Sequence, residues 1–257
     1  MAVRFQEIGR IGALLAVLLL AGCTASSVGS AHNWGWYIFD PFKEKGLSNL
    51  QFLIGGLGAS VAVSICVIAV SVVLGVFVAM VGLSKIRLFN HLNRVYVEVF
   101  RSVPLLVLLL WVFYGLPVVV GIQLGVFATG VLSLALSDSA FEAEVFRAGI
   151  QSVPKGQIEA AKSIGLSWWQ QMRLVVFPQA IRVILPAMGN QFIYVLKMSS
   201  LVSVVGLGEL TRRANELNVT EYRPLEIYTL LVAEYLLLIL FVSWLVRRLE
   251  RRLAHGH

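Results

Sequence analysis

Between two long apolar stretches the chain carries Arg147-Ala-Gly-Ile-Gln-Ser-Val-Pro154-Lys155-Gly-Gln157-Ile-Glu159-Ala160-Ala161-Lys162-Ser-Ile-Gly165-Leu-Ser167-Trp168-Trp169. A polar, helix-forming segment of this length has to contact something outside the bilayer. Its carboxylate, lysines and amide side chains suit noncovalent docking and no bond-breaking reaction.

The residue order predicts a specific shape. Pro154 fits the first turn of a helix, where its missing N–H costs nothing, and Lys155 to Ile164 are mostly good helix formers. Ile158 and Ala161, three apart, share one face. Gly165 can take the left-handed conformation that ends such a helix. Ser167 followed by Gln170 reads as a capping box that starts a second helix, with Trp168 and Trp169 in its first turn.

Elsewhere, catalytic patterns are missing. No Gly-x-x-x-x-Gly-Lys-Ser/Thr phosphate cradle and no hydrolase elbow occurs in the sequence. His32, His91, His255 and His257 lack metal-ligand spacing, so no metal is expected. The remaining candidates are ionisable residues at membrane depth, which are costly and mark either a pathway or a paired structural bridge. Lys197 stands alone between the uncharged runs Val183–Leu196 and Met198–Gly208. Either a carboxylate such as Glu144 or Asp138, or the carbonyls of a kinked helix, partner it, or it meets the carboxylate of a solute. Glu234 reads first as a satisfied intramembrane carboxylate. Asp138 and Glu142 fall where mostly neutral residues are expected.

These residues need spans to position them. Of 257 residues, 58% are hydrophobic and 14% charged, well below the roughly one quarter charged of soluble domains. Residues 46–84 and 102–137 carry no charge, and each exceeds the roughly 20 residues that cross a bilayer. The formal charge of +7 comes from basic clusters (Lys85 to Arg101, Arg147 to Arg182, Arg247 to Arg252) that alternate with spans. That is the pattern of loops on the inner side of a membrane, and it is wrong for a nucleic-acid face.

The expected architecture is an all-α, polytopic membrane bundle of about five core spans in one domain, with no internal repeat. They lie within Leu50–Leu83, at about Val95–Leu116, Gln123–Phe146, Pro178–Gly206 and Leu225–Val246. Ser84–Arg94 is expected as an inner loop, Gly115-Leu116-Pro117 as an outer break, and Gly208–Pro224, with both charge signs, as an outer loop. Pro186 and Gly189 are expected kink points. Gly55, Gly56, Gly58 and Gly75 permit close helix approach.

The N-terminal side starts outside and the C-terminus ends inside. Residues 1–23 place a basic start, an apolar core and Leu20-Ala21-Gly22-Cys23 in signal-like order. Either Cys23 becomes a lipidated N-terminus or the segment stays as an extra membrane helix. Residues 24–49 form a Ser-rich connector and an aromatic segment at headgroup depth. Cys66 is a small packing residue.

The polar stretch resembles the signature loop of importer-type ABC transporter permeases. Glu159, Ala160, Ala161 and Gly165 match its Glu-Ala-Ala…Gly pattern, and Ile181 and Leu185-Pro186 supply the distal part. Phe100-Arg101-Ser102-Val103-Pro104-Leu105-Leu106, Glu144-Val-Phe-Arg147-Ala-Gly149-Ile150 and Leu196-Lys197-Met198-Ser199-Ser200-Leu201 resemble segments of the polar amino-acid subfamily. Met198 departs from it, standing where an acidic or amide residue is usual.

The resemblance spans about 50–253 and implies a transmembrane type-1 domain in a bacterial cytoplasmic membrane. It implies a noncatalytic permease subunit that moves polar amino acids such as glutamate, glutamine, histidine or arginine. Its partners would be an ATPase dimer, an extracytoplasmic amino-acid-binding protein, a second identical or paralogous permease subunit, and membrane lipid. Lys155, Gln157, Glu159, Ala160, Ala161 and Gly165 would form the coupling helix seated on the ATPase. Lys197, Ser199, Ser200 and Glu144 would belong to the translocation path. No cofactor is implied, since ATP would be hydrolysed in a separate chain.

Two rival classes leave different marks. An ion-gradient-driven secondary transporter is expected to show paired halves with broken helices at equivalent places, which the sequence lacks. A lipid-anchored enzyme would need a catalytic cluster, and none is present.

Overall fold

Helices account for the regular structure of the computed structural model, which describes residues 33–84 and 86–254. The signal-like segment with Cys23, together with His32, Lys85, His255 and His257, lies outside the described residues. Contacts divide the chain into Met1–Trp36 and Tyr37–His257. Of the first unit only residues 33–36 are described, with Trp34 and Trp36 stacked at 5.5 Å between ring centroids.

The second unit begins with the short amphipathic α1 (Glu44–Ile54) and the long apolar α2 (Leu57–Gly82). Together Glu44–Gly82 make 39 residues long and apolar enough to cross a membrane. At 1.5 Å per residue they would extend about 58 Å if straight, nearly twice a hydrocarbon core. α2 alone therefore suffices to span. Val126–Gln151, Trp168–Val205 and Pro224–Arg251 are three further candidate spans, and a bent pair of helices makes a fifth.

That bent pair corrects the expected second span. α3 (Arg87–Ser102) and the segment Leu105–Val120 meet at 99°. Pro104 is the cause, because a proline disfavours helical backbone in the residue before it, and Val103 is extended at φ −78°, ψ 125°. α3 also starts inside the expected inner loop, with no residue of its own buried.

Past the bend, α4 (Leu105–Leu110), a π-turn (Trp111–Gly115) and α5 (Leu116–Val120) run on without a break. The expected stop at Gly115-Leu116-Pro117 is absent; left-handed Gly121 ends the helix instead. The π-turn explains the difference. Leu116 N–H reaches back five residues to Trp111 O, so the ladder has already shifted register where Pro117 removes a donor.

The same device recurs at Pro178. α6 (Val126–Gln151) is the third span, and after the polar segment the fourth begins at Trp168, ten residues before its expected start. It consists of α8 (Trp168–Gln171), a π-turn (Met172–Val176), α9 (Phe177–Met198) and a 3-10 turn (Ser199–Val205). Phe177 N–H bonds Met172 O, and Pro178 follows inside the first turn of α9. Pro186 is carried within α9.

The expected outer loop is mostly helix: α10 (Leu210–Glu221) buries Leu210, Ala214 and Leu217 against α1 and α11 (Pro224–Ala254). Arg212 and Glu216 pair with each other on its exposed face, whereas Glu221 and Arg213 bond residues of α1, so charges of both signs are accommodated on one helix.

α2 and α6 form the most extensive helix pair. Both helices bury small residues, Ser64, Ser71, Gly75 and Ala79 on α2 and Thr129, Ser133, Ala140 and Ala143 on α6. Without hydrophobic drive between helices in lipid, such close packing supplies the attraction. Gly75 is where the approach is tightest: a Cβ there would lie 2.6 Å from Glu142 Cβ.

Candidate functional site

The polar segment is built from two short helices with interlocked ends. α7 (Lys155–Ser163) follows Pro154, which sits just outside the helix at the N-cap position with φ −57° and ψ 132°. Gly165 ends it at φ +81°, in the left-handed region expected of that glycine. Leu166 N–H then donates to Ala161 O at 3.1 Å and Gly165 N–H to Lys162 O at 2.9 Å, the pair of bonds of a Schellman motif.

Two residues later the expected capping box is formed. Ser167 N–H donates to Gln170 Oε1 at 2.8 Å, and Gln170 N–H donates to Ser167 Oγ at 3.4 Å. Gln171 Nε2 adds a 2.6 Å bond to Leu166 O. The turn thus satisfies backbone groups that helix ends leave open.

One face of α7 seats it on the bundle. Ala161 is buried, and Ile158 packs with a cluster formed by Val153, Val176, Ala180 and Ile184. Gln179 of α9 donates to Gln157 Oε1. Of the six coupling candidates, Lys155, Gln157, Glu159, Ala160 and Gly165 are exposed, whereas Ala161 faces inward as an anchor. Among the described residues, Glu159, Lys155 and Lys162 make no ion pair, so this face presents free charges of both signs. Beside it, Trp168, Trp169, Met172, Phe146 and Met80 line an apolar cavity of about 620 Å³.

The path candidates are spread over two helices. Glu144 of α6 takes a hydrogen bond from the Arg101 guanidinium of α3, with Arg147 at 3.8 Å. Arg101 also lies over the Phe141 ring, 4.8 Å from its centroid. Gln191 donates to Asp138 at 2.5 Å. Both proposed carboxylate partners of Lys197 are therefore engaged elsewhere, and that expectation is corrected. Lys197 is exposed at the end of α9 and, among the described residues, bonds neither carboxylate nor carbonyl through its side chain.

Ser199 is fully buried and donates to Leu196 O, and Ser200 donates to Lys197 O, both at 2.8 Å. The satisfied state expected for Glu234 is also corrected, since both its carboxylate oxygens are buried without a hydrogen bond.

Sequence reading passed over a buried polar knot at the opposite end of the bundle. Glu209 is wholly buried, accepts from Arg212 N–H at 2.7 Å as the N-cap of α10, and accepts from Tyr235 Oη at 2.8 Å. Burial pushes its carboxyl above the ordinary glutamate value, while the bonds from Thr211, Arg212 and Tyr235 pull it back in part. The signal was a Glu three residues ahead of Arg212 at a helix start, obscured by the surrounding charges. Glu142, also fully buried, has both oxygens unbonded opposite Gly75.

This arrangement holds a charged hairpin at one end of a small-residue helix bundle, and known proteins are similar to the chain that forms it. Residues 71–255 match the family described as binding-protein-dependent transport system inner membrane component. The chain is similar to the arginine transport system permease protein ArtQ of Bacillus subtilis (strain 168), 32% identical over 207 residues, covering 80% of this chain and 94% of the relative. It is also similar to the probable glutamine ABC transporter permease protein GlnM of the same organism, 37% identical over 209 residues, covering 81% and 96%. Among solved structures, an amino acid ABC transporter crystallised with histidines superposes at a TM-score of 0.75, with 40% identity and coverage of 80% of this chain and 96% of that one.

Proposed function

The chain belongs to the family of binding-protein-dependent transport system inner membrane components, and from that premise we propose that it moves polar amino acids through the membrane under the drive of ATPase subunits gripping α7. It is a noncatalytic, multi-pass permease subunit of an ATP-driven importer. The permease domain runs over 50–253, with residues 24–49 as connector. Support for the substrate class comes from the relatives, whose names assign them arginine and glutamine.

The observation that carries the coupling role is the exposed, unpaired Glu159 face of a helix held rigid at its C-terminal end by a Schellman turn and a capping box. A flexible loop would dissipate a push; this hairpin transmits it to α6 and α9. When nucleotide draws two ATPases together, α7 moves with them and the bundle passes between inward-facing and outward-facing states. The α7 hairpin and the C-terminus then lie on the ATPase side, and the bundle end that encloses the Glu209 knot lies on the side of the binding protein. Lys197, exposed and unpaired, meets a solute carboxylate, with Ser199 and Ser200 in the turn that follows it, while Glu144 ties α6 to α3 through Arg101.

Reconstitution in proteoliposomes with the ATPase and the binding protein tests this reading. Glu159→Lys reverses the free charge without touching the buried Ala161 face, so the subunit inserts but solute-stimulated ATP hydrolysis is lost. Normal stimulation in that variant removes the coupling role from α7.

A further inference from the structure

A second cavity lies at the α7 end, apart from that hairpin. It occupies about 360 Å³ between the last turn of α2, the exposed helix α3 and the end of α6. Arg94 and Glu98, with Arg147, Glu144 and two asparagines, provide its polar lining, and Ala79, Val97 and Ala143 its apolar wall. The volume sits at the small end of ligand sites, which run from about 300 to 1,000 Å³, and so suits a metabolite rather than a nucleotide.

Two charges in it are uncommitted. Arg94 and Glu98 stand four apart on α3, the spacing at which opposite charges ordinarily pair along a helix. Yet among the described residues neither makes an ion pair or a side-chain hydrogen bond. Glu144, by contrast, is taken by Arg101 and Arg147. What remains is one free guanidinium and one free carboxylate opening on the same space. A simple anion such as phosphate would meet Glu98, and a simple amine would meet Arg94. A zwitterion satisfies both, with its carboxylate on the guanidinium fork and its ammonium on the carboxylate.

We propose that this cavity binds a free α-amino acid, its side chain lying along Val97 and Ala143, on the side of the membrane to which solute is delivered. The inference rests on the reading of the chain as a polar amino-acid permease, and deepens it with a site separate from Lys197. α3 has no buried residue of its own, so an occupant bridging Arg94 and Glu98 across to the α6 wall adds contacts that the empty helix lacks.

The test uses the detergent-purified complex of permease and ATPase, without binding protein, in equilibrium dialysis against radiolabelled L-glutamine, L-glutamate, L-histidine and L-arginine. Saturable binding of at least one is expected, competed by neither its decarboxylated amine nor inorganic phosphate. Arg94→Ala and Glu98→Gln should each raise the Kd about tenfold, the loss of one charge-assisted interaction, while Arg94→Lys, which keeps the charge but loses the fork, falls between wild type and Arg94→Ala. Wild-type affinity in both variants, displacement by phosphate or the amine, or no binding at all overturns the proposal.

Binding-protein-dependent uptake of the same four labels is measured in parallel. Uptake without binding sinks this site alone, whereas failure of all uptake sinks the transport reading beneath it.

Discussion

Replacing Gly165 isolates a backbone effect, because a Cβ built there meets nothing within 4 Å. Gly165→Val therefore has open space at its Cβ, and its main consequence comes from φ +81°, a conformation that a β-branched residue resists. Strain of this kind is about 1–3 kcal/mol, and relieving it means giving up the bonds from Leu166 N–H to Ala161 O and Gly165 N–H to Lys162 O.

If the ATPase grips only the closed hairpin, 1–3 kcal/mol weakens its apparent affinity about 5- to 150-fold. Gly165→Asn, which tolerates the left-handed region, should stay within a few-fold of wild type, with Gly165→Ala between the two. The assay is ATP hydrolysis by reconstituted permease titrated with purified ATPase, with membrane insertion checked by fractionation. Equal affinities for the Val and Asn variants would show that backbone conformation at position 165 does not govern coupling, and the argument from the Schellman turn would fail.

Other outcomes follow from the helix contacts and the buried charges. Gly75→Ala places a methyl 2.6 Å from Glu142 Cβ and should cost about 1–3 kcal/mol by overpacking, whereas Gly58→Ala, facing open space, should be neutral; thermal unfolding in detergent compares them. Glu209 has its folded pKa raised above the ordinary glutamate value of 4.5, so its contribution is fully present below about that pH and is lost as pH rises through the folded value. The Tm should accordingly fall with rising pH more steeply in wild type than in Glu209→Gln, and identical slopes would remove Glu209 from the account. Lys197→Ala removes an unpaired charge, so Tm should hold or rise while uptake collapses; a matched loss of both would make Lys197 a structural residue.

The hairpin was legible because its determinants are local. Gly165, Ser167 and Gln170 act on backbone groups within a few residues, and turn chemistry of this kind depends little on what surrounds it. Spans were legible as apolar runs for the same reason, since lipid demands length and composition whatever the packing. Their ends were less so. Pro117 read as a helix break and Pro178 as the start of a span, yet each is absorbed by a π-turn just before it, and a register shift five residues back leaves no mark in residue type. The mixed charges of α10 resembled an outer loop because its buried face uses only Leu210, Ala214 and Leu217.

By itself, then, the sequence determined an all-helical membrane chain with a rigid polar hairpin, because hydropathy, caps and turns are properties of neighbouring residues. Tertiary structure decided which charges are free. Glu144 is engaged by Arg101 and one oxygen of Asp138 by Gln191, and Lys197 is left open, because partners 43 or 53 residues away come together only when α3, α6 and α9 pack. Tertiary structure also brought Arg94 and Glu98 to one cavity with the α6 wall, a placement set by the 99° turn at Pro104 and by how α3 lies across its neighbours.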